Sequence, residues 1–298
     1  MASTFTIVRP WSEFMRTHSG LRTLQASALA FCVLVGGTWA DAIEARDTGS
    51  GKAAAGVVSV DTTTGKAPAC SKGTVYLTLD TGNMSQAEFM AQVLSRHEIK
   101  ATFFVADERT PRGDSSLAPS WAGFWKARVA EGHAFGSHTL DHVYFREALP
   151  DGRVRVRPEF GAQAGRTLTW DSAAVCHEID RADQRFQELT GQRLDRFWRA
   201  PGGRAPGSVM AAARACGWAH VYWADSGFLG DELPSDRFPN DRLLQQSLRG
   251  IRAGDILMAH LGIWSRRDPW APMLEPLITG LKAKGLCFAT LREHPAYR

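Results

Sequence analysis

The sequence predicts an α/β fold of about seven parallel strands alternating with outer helices, either a β/α barrel or an open doubly wound sheet. Three observations predict it. Short runs rich in β-branched and aromatic residues recur along the chain, helical stretches separate most of them, and five runs end in a side chain able to do chemistry. Val75–Leu79 runs into Asp80, His133–Ser137 into His138 with His142 four residues on, Arg196–Trp198 into Arg199, His220–Ala224 into Asp225, and Ile256–Ala259 into His260. Parallel sheets and barrels bind ligands at the carboxyl ends of their strands. One such fold therefore gathers these Asp, His and Arg residues on one rim.

In chain order, strand 75–80 leads to a helix over 85–97, whose last turn places Arg96 and His97 at the negative end of the helix dipole. Strand 100–106, Lys-Ala-Thr-Phe-Phe-Val-Ala, is almost wholly apolar, as a parallel strand buried on both faces should be. Helix 119–131 and strand 133–138 follow. Residues 143–170 carry Pro150, Gly152, Pro158, Gly161 and Gly165 and read as a long insertion loop. Helix 171–189 stops at Thr190-Gly191. Strand 196–200, helix 206–216, strand 219–225, helix 240–252, strand 255–260, helix 271–284 and strand 286–291 complete the pattern.

The 298 residues are 44% hydrophobic and 22% charged, enough for one large core. The 35 basic and 31 acidic residues leave a net charge of +4 with no basic stripe, which argues against a nucleic-acid partner. Arg9, Arg16 and Arg22 precede the apolar stretch 26–35 and the small residues of 36–40, the layout of an export signal cleaved after Ala40. The expected location is the periplasm or the cell exterior, with membrane contact only through this segment 1–40. Residues 41–72, rich in Gly, Ala, Thr and Lys, read as a flexible linker, and the folded domain is expected over 73–298. Cys70, Cys176, Cys216 and Cys287 remain after cleavage and permit two disulfides. Cys176 and Cys216 are expected to pair, because both fall on helices that the chain order sets side by side.

His138 and His142 are the strongest local signal. At i, i+4 on a helical turn their imidazoles face one side and share a metal, although a surface pair has the same spacing. Two imidazoles need a third ligand, commonly a carboxylate, and Asp80 offers one; its alternative role is a helix N-cap. Arg199 precedes Ala200-Pro201-Gly202-Gly203, so a guanidinium that can grip a carboxylate adjoins a turn that exposes backbone N–H groups. His260 and Asp225 each also read as ordinary strand-end residues. Their common position on the rim favours chemistry.

Together these runs resemble the polysaccharide deacetylase family, carbohydrate esterase family 4, also called the NodB homology domain. Thr78-Leu79-Asp80-Thr81-Gly82 is similar to the family's T-F-D-D-G, Lys100–Val105 matches K-A-T-F-F-V, and Gly132–His142 matches G-H-E-I-G-x-H-[ST]-x-x-H. Arg199–Gly202 looks like R-x-P-Y, and Leu257–His260 resembles the closing L-x-H. The resemblance covers about residues 73–293. It implies a distorted (β/α) barrel that removes N-acetyl groups from an acetylated amino-sugar polymer, with a divalent metal (zinc, cobalt or nickel) as cofactor and an acetylated glycan as partner. It further implies that Asp80 is the general base, His138 and His142 are metal ligands, Arg199 orients Asp80, the Gly202 N–H faces the oxyanion, and His260 is the general acid.

Three positions depart from the family pattern. Thr81 stands in place of the carboxylate metal ligand, so either metal affinity falls or Asp80 becomes the ligand and the base is unassigned. Gly202 replaces a Tyr but keeps its N–H. Asp225–Leu229 only partly matches D-x-x-D-W, leaving Asp225 or Asp231 as the acidic partner of His260. Trp264 and Trp270, with Arg266 and Arg267, are candidates to stack on sugar rings and bind anions. Two alternatives stand beside the deacetylase: a carbohydrate-binding relative that lost turnover, and an amide hydrolase for a formylated or lipid-linked sugar.

Overall fold

A computed structural model describes residues 70–297. The signal segment 1–40 and nearly all of the linker 41–72 lie outside the described residues. The elements are β1 (Gly73–Asp80), α1 (Ala87–Arg96), β2 (Thr102–Val105), α2 (Ala122–Ala130), β3 (Ala134–Ser137), β4 (Val143–Ala148), β5 (Val154–Pro158), β6 (Leu168–Trp170), α3 (Ser172–Thr190), β7 (Phe197–Trp198), α4 (Gly207–Ala215), β8 (Ala219–His220), α5 (Asn240–Gly250), β9 (Ile256–His260), α6 (Leu274–Ala283) and β10 (Leu286–Phe288).

Seven strands form one parallel sheet in the order β10-β1-β2-β3-β7-β8, with β9 also paired to β1. The sheet curls into a distorted (β/α) barrel with helices outside. Segment 221–230 lies where β8 and β9 would meet, joined to β9 by a parallel bridge from Phe228 to Met258. The strand expected over 219–225 is thus only two residues long before the chain turns away along the rim.

Strand β1 shows why the sheet reads as continuous apolar runs. Val75, Leu77 and Leu79 join the main core beneath the helices, whereas Tyr76 joins a second cluster with Phe104, Phe197, Val221 and Ile256 on the other face. Both faces are buried, and period-2 alternation sends Thr78 and Asp80 the same way as Tyr76. Helix α3 starts where Asp171 accepts a hydrogen bond from the Ala174 N–H at 2.8 Å and stops at Gly191, which takes a left-handed φ of 82°.

The insertion 143–170 is not a loop. It forms a three-stranded antiparallel sheet, β4-β5-β6, beside the barrel. Val154 and Val156 point inward while Arg155 and Arg157 face solvent, an alternation that suits a half-buried ribbon. Two disulfides fasten the domain. Cys176–Cys216 ties α3 to the end of α4 as expected, and Cys70–Cys287 ties the start of the described chain to β10.

Candidate active site

The parallel register brings the candidate residues together. Asp80 and His260 are direct cross-strand partners of β1 and β9. His138 follows the end of β3 and Arg199 follows β7, which are neighbours in the same sheet. Asp80 and His260 are therefore adjacent on the rim, not opposite one another.

Asp80 is buried, at 2% exposure, and its Oδ1 accepts a hydrogen bond from Arg199 Nη1 at 2.7 Å. Arg199 is wholly buried, with its guanidinium 4.2 Å from the ring centre of Phe104. Burial pushes the Asp80 pKa up, but the charges of Arg199, His138 and His260 outweigh it and hold the carboxyl below its usual range.

Asp80 Oδ2 lies 3.7 Å from His138 Nε2. On the other side of that ring, Nδ1 is 2.9 Å from the Arg199 carbonyl oxygen, which can only accept, so Nδ1 carries the proton and Nε2 presents a lone pair. Burial drives the His138 pKa down to about 3, which keeps the imidazole neutral. His142 is arranged alike: Nδ1 donates to Glu159 Oε2 at 2.7 Å. Burial disfavours its charged form, yet Glu108 and Glu159 together raise its pKa. The two rings meet edge to face with centres 4.9 Å apart.

The His138–His142 segment is a turn, not the helical turn that the spacing suggested. Thr139 and His142 adopt left-handed backbone conformations, with φ of 61° and 46°. The turn is held from below. Thr139 N–H donates to Ser137 Oγ, Val143 N–H to Thr139 Oγ1, and Asp141 N–H to the buried Glu178 at 2.7 Å. Arg181 then bridges Asp141 and Glu178 at 2.8 and 2.6 Å.

These donors fit a divalent cation in kind. Each imidazole has Nδ1 committed to an oxygen, and Nε2 makes no hydrogen bond among the described residues, which is how His ligands are oriented in metal sites. Among the described residues, no group of three His, Cys, Asp or Glu side chains stands close enough together to hold a metal ion.

The acidic partner of His260 is Asp231, not Asp225. Asp231 Oδ2 accepts from the His260 backbone N–H at 2.6 Å and lies 3.1 Å from Nδ1. Asp225 is exposed in the turn between β8 and β9 and makes no hydrogen bond to His260. Burial lowers the His260 pKa, but Asp231, Asp80 and Glu232 outweigh it and carry it up to about 10. Asp80 is thus ionised and His260 protonated at neutral pH.

Gly202 sits in a single turn at Pro201–Gly203 with φ of 66°, and its N–H makes no hydrogen bond among the described residues. A Cβ there would lie 3.3 Å from the Tyr144 ring. Tyr144, from β4, thus packs against the glycine that stands at the family's Tyr position, and its ring meets His142 at 5.2 Å.

A match to the polysaccharide deacetylase family covers residues 68–221, just over half of the chain. The chain belongs to this family. Among curated relatives, the chitooligosaccharide deacetylase of Bradyrhizobium sp. is 29% identical over 222 residues, covering 71% of this chain and 85% of its own. Among solved structures, a family 4 acetyl xylan esterase from Clostridium thermocellum, in complex with a cobalt ion, has a TM-score of 0.56 at 21% identity and covers 74% of this chain and 88% of its own. A carbohydrate esterase family 4 pseudoenzyme from Bacillus anthracis has a TM-score of 0.55 at 20% identity, covering 75% of this chain and 66% of its own. The two structures share the fold.

Within the family frame, some expected contacts differ. Trp264 is 59% exposed on the rim, free to meet a ligand, whereas Trp270 is 3% exposed and packed in the core. It lines a small cavity beside His260 but offers no open ring face. Arg266 is also buried, its guanidinium tied to the Leu233 and Phe238 carbonyls and to Asn240, so it is a brace and not an anion receptor. Sequence reasoning missed Glu108, Tyr144 and the rim pair Tyr222–Trp223, stacked with ring centres 4.3 Å apart. Two adjacent aromatics closing an apolar run are a visible signal for the last. Glu108 and Tyr144 owe their place to tertiary structure alone.

Proposed function

We propose that this chain is an exported, metal-dependent deacetylase that hydrolyses the N-acetyl amide of an acetylated amino-sugar polymer such as chito-oligosaccharide or peptidoglycan. The observation that carries it is the pairing on adjacent strand ends of a buried ionised acid, Asp80, with a half-buried protonated base, His260. Sites that transfer protons need groups whose environments drive their pKa values apart. A pure binder has no use for this arrangement.

His138 and His142 would hold the cation through Nε2. When bound, zinc or a similar cation supplies Lewis acidity and a water ionised near pH 7. Asp80, fixed by Arg199, takes a proton from the attacking water as its oxygen bonds to the acetyl carbon. The free N–H of Gly202 stabilises the negative oxygen that results. His260 then gives its Nε2 proton to the amide nitrogen as the C–N bond breaks, leaving acetate and the free amine. Asp231 holds Nδ1 and supports the imidazolium. Tyr222, 47% exposed, and Trp264 offer ring faces to flanking sugars.

Cleavage after Ala40 and a linker to residue 72 would deliver the domain outside the cytoplasm, and the two disulfides suit an oxidising compartment. The second reading, a carbohydrate-binding relative without turnover, rests on Thr81. Acetate release from acetylated chito-oligosaccharide, by wild type and His260→Ala at equal metal content, tests the proposal. The variant is expected to lose roughly 10²–10⁴ in turnover, the usual share of one acid/base group, with glycan binding kept. Equal turnover in both would assign the acid elsewhere.

A further inference from the structure

Thr81 leaves the site without the carboxylate that its family neighbours place at this position, yet the structure sets another carboxylate there. The Thr81 hydroxyl donates to Glu108 Oε1 at 2.5 Å, and the Gly82 N–H donates to the same oxygen at 2.8 Å. The hydroxyl also accepts from the Ala106 N–H at 3.2 Å, so its proton and a lone pair are both in use. A neutral hydroxyl committed in this way is a poor ligand for a cation. It is a good clamp for an anion.

Glu108 comes from a different segment, the stretch after β2. It is 8% exposed, and its backbone is fastened on both sides: its N–H donates to Ser116 Oγ and its C=O accepts from the Ser116 N–H, each at 2.8 Å. Its Oε2 makes no hydrogen bond among the described residues. The turn that presents the Gly82 N–H admits only glycine. Gly82 has φ of 54°, and a Cβ there would sit 2.1 Å from the Gly262 carbonyl oxygen. One oxygen of the Glu108 carboxylate is thus clamped and the other is left open to a cation.

We infer that Glu108, carried on Thr81 and Gly82, is the carboxylate ligand of the divalent metal, so that a Thr–Glu pair from two segments does the work of one Asp and Asp80 stays free as the base. This rests on the proposed metal dependence and deepens it. It also explains how the chain departs from the family at Thr81 while keeping Asp80, Arg199, His138, His142 and His260 in register.

Zinc affinity of the full chain, measured by competition with a chromophoric chelator, tests the inference, together with the visible spectrum of the cobalt form. Glu108→Gln should weaken zinc binding by at least about 10²-fold, the upper end of what changing a mere neighbour of the ligands costs, and should alter the cobalt bands. Adding Thr81→Asp to Glu108→Ala should recover most of the loss, because the carboxylate then returns on β1's own extension. Metal-free melting of each variant separates lost binding from lost folding. A zinc-bound structure of the wild type decides the matter without any variant: a Glu108 oxygen is expected about 2.0–2.2 Å from the ion. Ligation by Asp80 with Glu108 turned away would overturn the inference, as would a Glu108→Gln chain that binds zinc like wild type. If wild type itself binds neither zinc nor cobalt, the metal-dependent reading and this inference fall together.

Discussion

Arg199 Nη1 lies 2.7 Å from Asp80 Oδ1, and the two side chains are 0% and 3% exposed. This is a buried ion pair, and its second guanidinium nitrogen, Nη2, has no partner among the described residues. Coulomb attraction at such depth offsets a heavy desolvation cost only if the geometry is kept. Removing one partner strands the other.

Arg199→Gln should therefore destabilise the domain by about 3–5 kcal/mol, measured by urea unfolding. It should also raise the Asp80 pKa, since burial, the largest influence on it, then acts with less opposition. A carboxylate that stays ionised down to low pH makes the acidic limb of the rate profile fall at low pH. In the variant that limb should move toward neutrality. An unmoved limb would mean that Arg199 does not set the state of Asp80.

His260 gives a pH signature of opposite sign. Its folded pKa, about 10, lies above the ordinary value of 6.5. A group raised on folding contributes stability that is complete below the unfolded pKa and is lost as pH rises through the folded one. The metal-free chain should lose stability between about pH 6.5 and 10. Asp231→Asn should flatten that decline. Equal slopes for the two chains would show that Asp231 is not the source of the raised pKa.

The Cys176–Cys216 bridge closes a separation of 40 residues between α3 and α4. Replacing both by Ser should cost about 2–4 kcal/mol in unfolding free energy, by the entropy of the unfolded chain. Neither cysteine hydrogen-bonds Asp80, His138, His142, Arg199 or His260, so acetate release per folded molecule should hold. Peptide mapping that finds both thiols free in the oxidised wild type would remove the bridge from the account.

Arg181 touches no candidate ligand, yet it pins Asp141 and Glu178 under the turn that carries His138 and His142. Arg181→Ala should weaken zinc binding by about 10-fold, the lower end for groups that orient ligands at one remove. Arg181→Lys should recover part of it. Unchanged affinity in Arg181→Ala would mean that the turn keeps its left-handed residues without this clamp.

Most of the barrel was legible because its strands are buried on both faces and stop at chemistry-bearing residues. Asp80, His138, Arg199 and His260 could be placed on one rim from the apolar runs before them. The antiparallel sheet at 143–170 was hidden by its punctuation: Pro150, Gly152 and Gly165 read as loop, although Val154-Arg155-Val156-Arg157 alternates as a half-buried strand must. Trp270 could not be told from a rim aromatic, because its place in the main core is set by tertiary packing. The choice of Asp231 over Asp225 required knowing that segment 221–230 leaves the barrel and returns beside β9. Glu108 meets Thr81 only through the fold, 27 residues away along the chain.

The central claim is that this rim hydrolyses an acetylated amino sugar. The most direct measurement is acetate released from an acetylated chito-oligosaccharide by the purified full chain, after zinc loading and again after removal of metal with a chelator, beside Asp80→Asn and His260→Ala. The zinc-loaded wild type should release acetate steadily, with release abolished by the chelator, restored by zinc, and reduced at least about 10²-fold in each variant. Glycan binding by the wild type with no acetate released from chito-oligosaccharide or peptidoglycan, at full zinc occupancy, would contradict the claim and leave a carbohydrate-binding relative in its place.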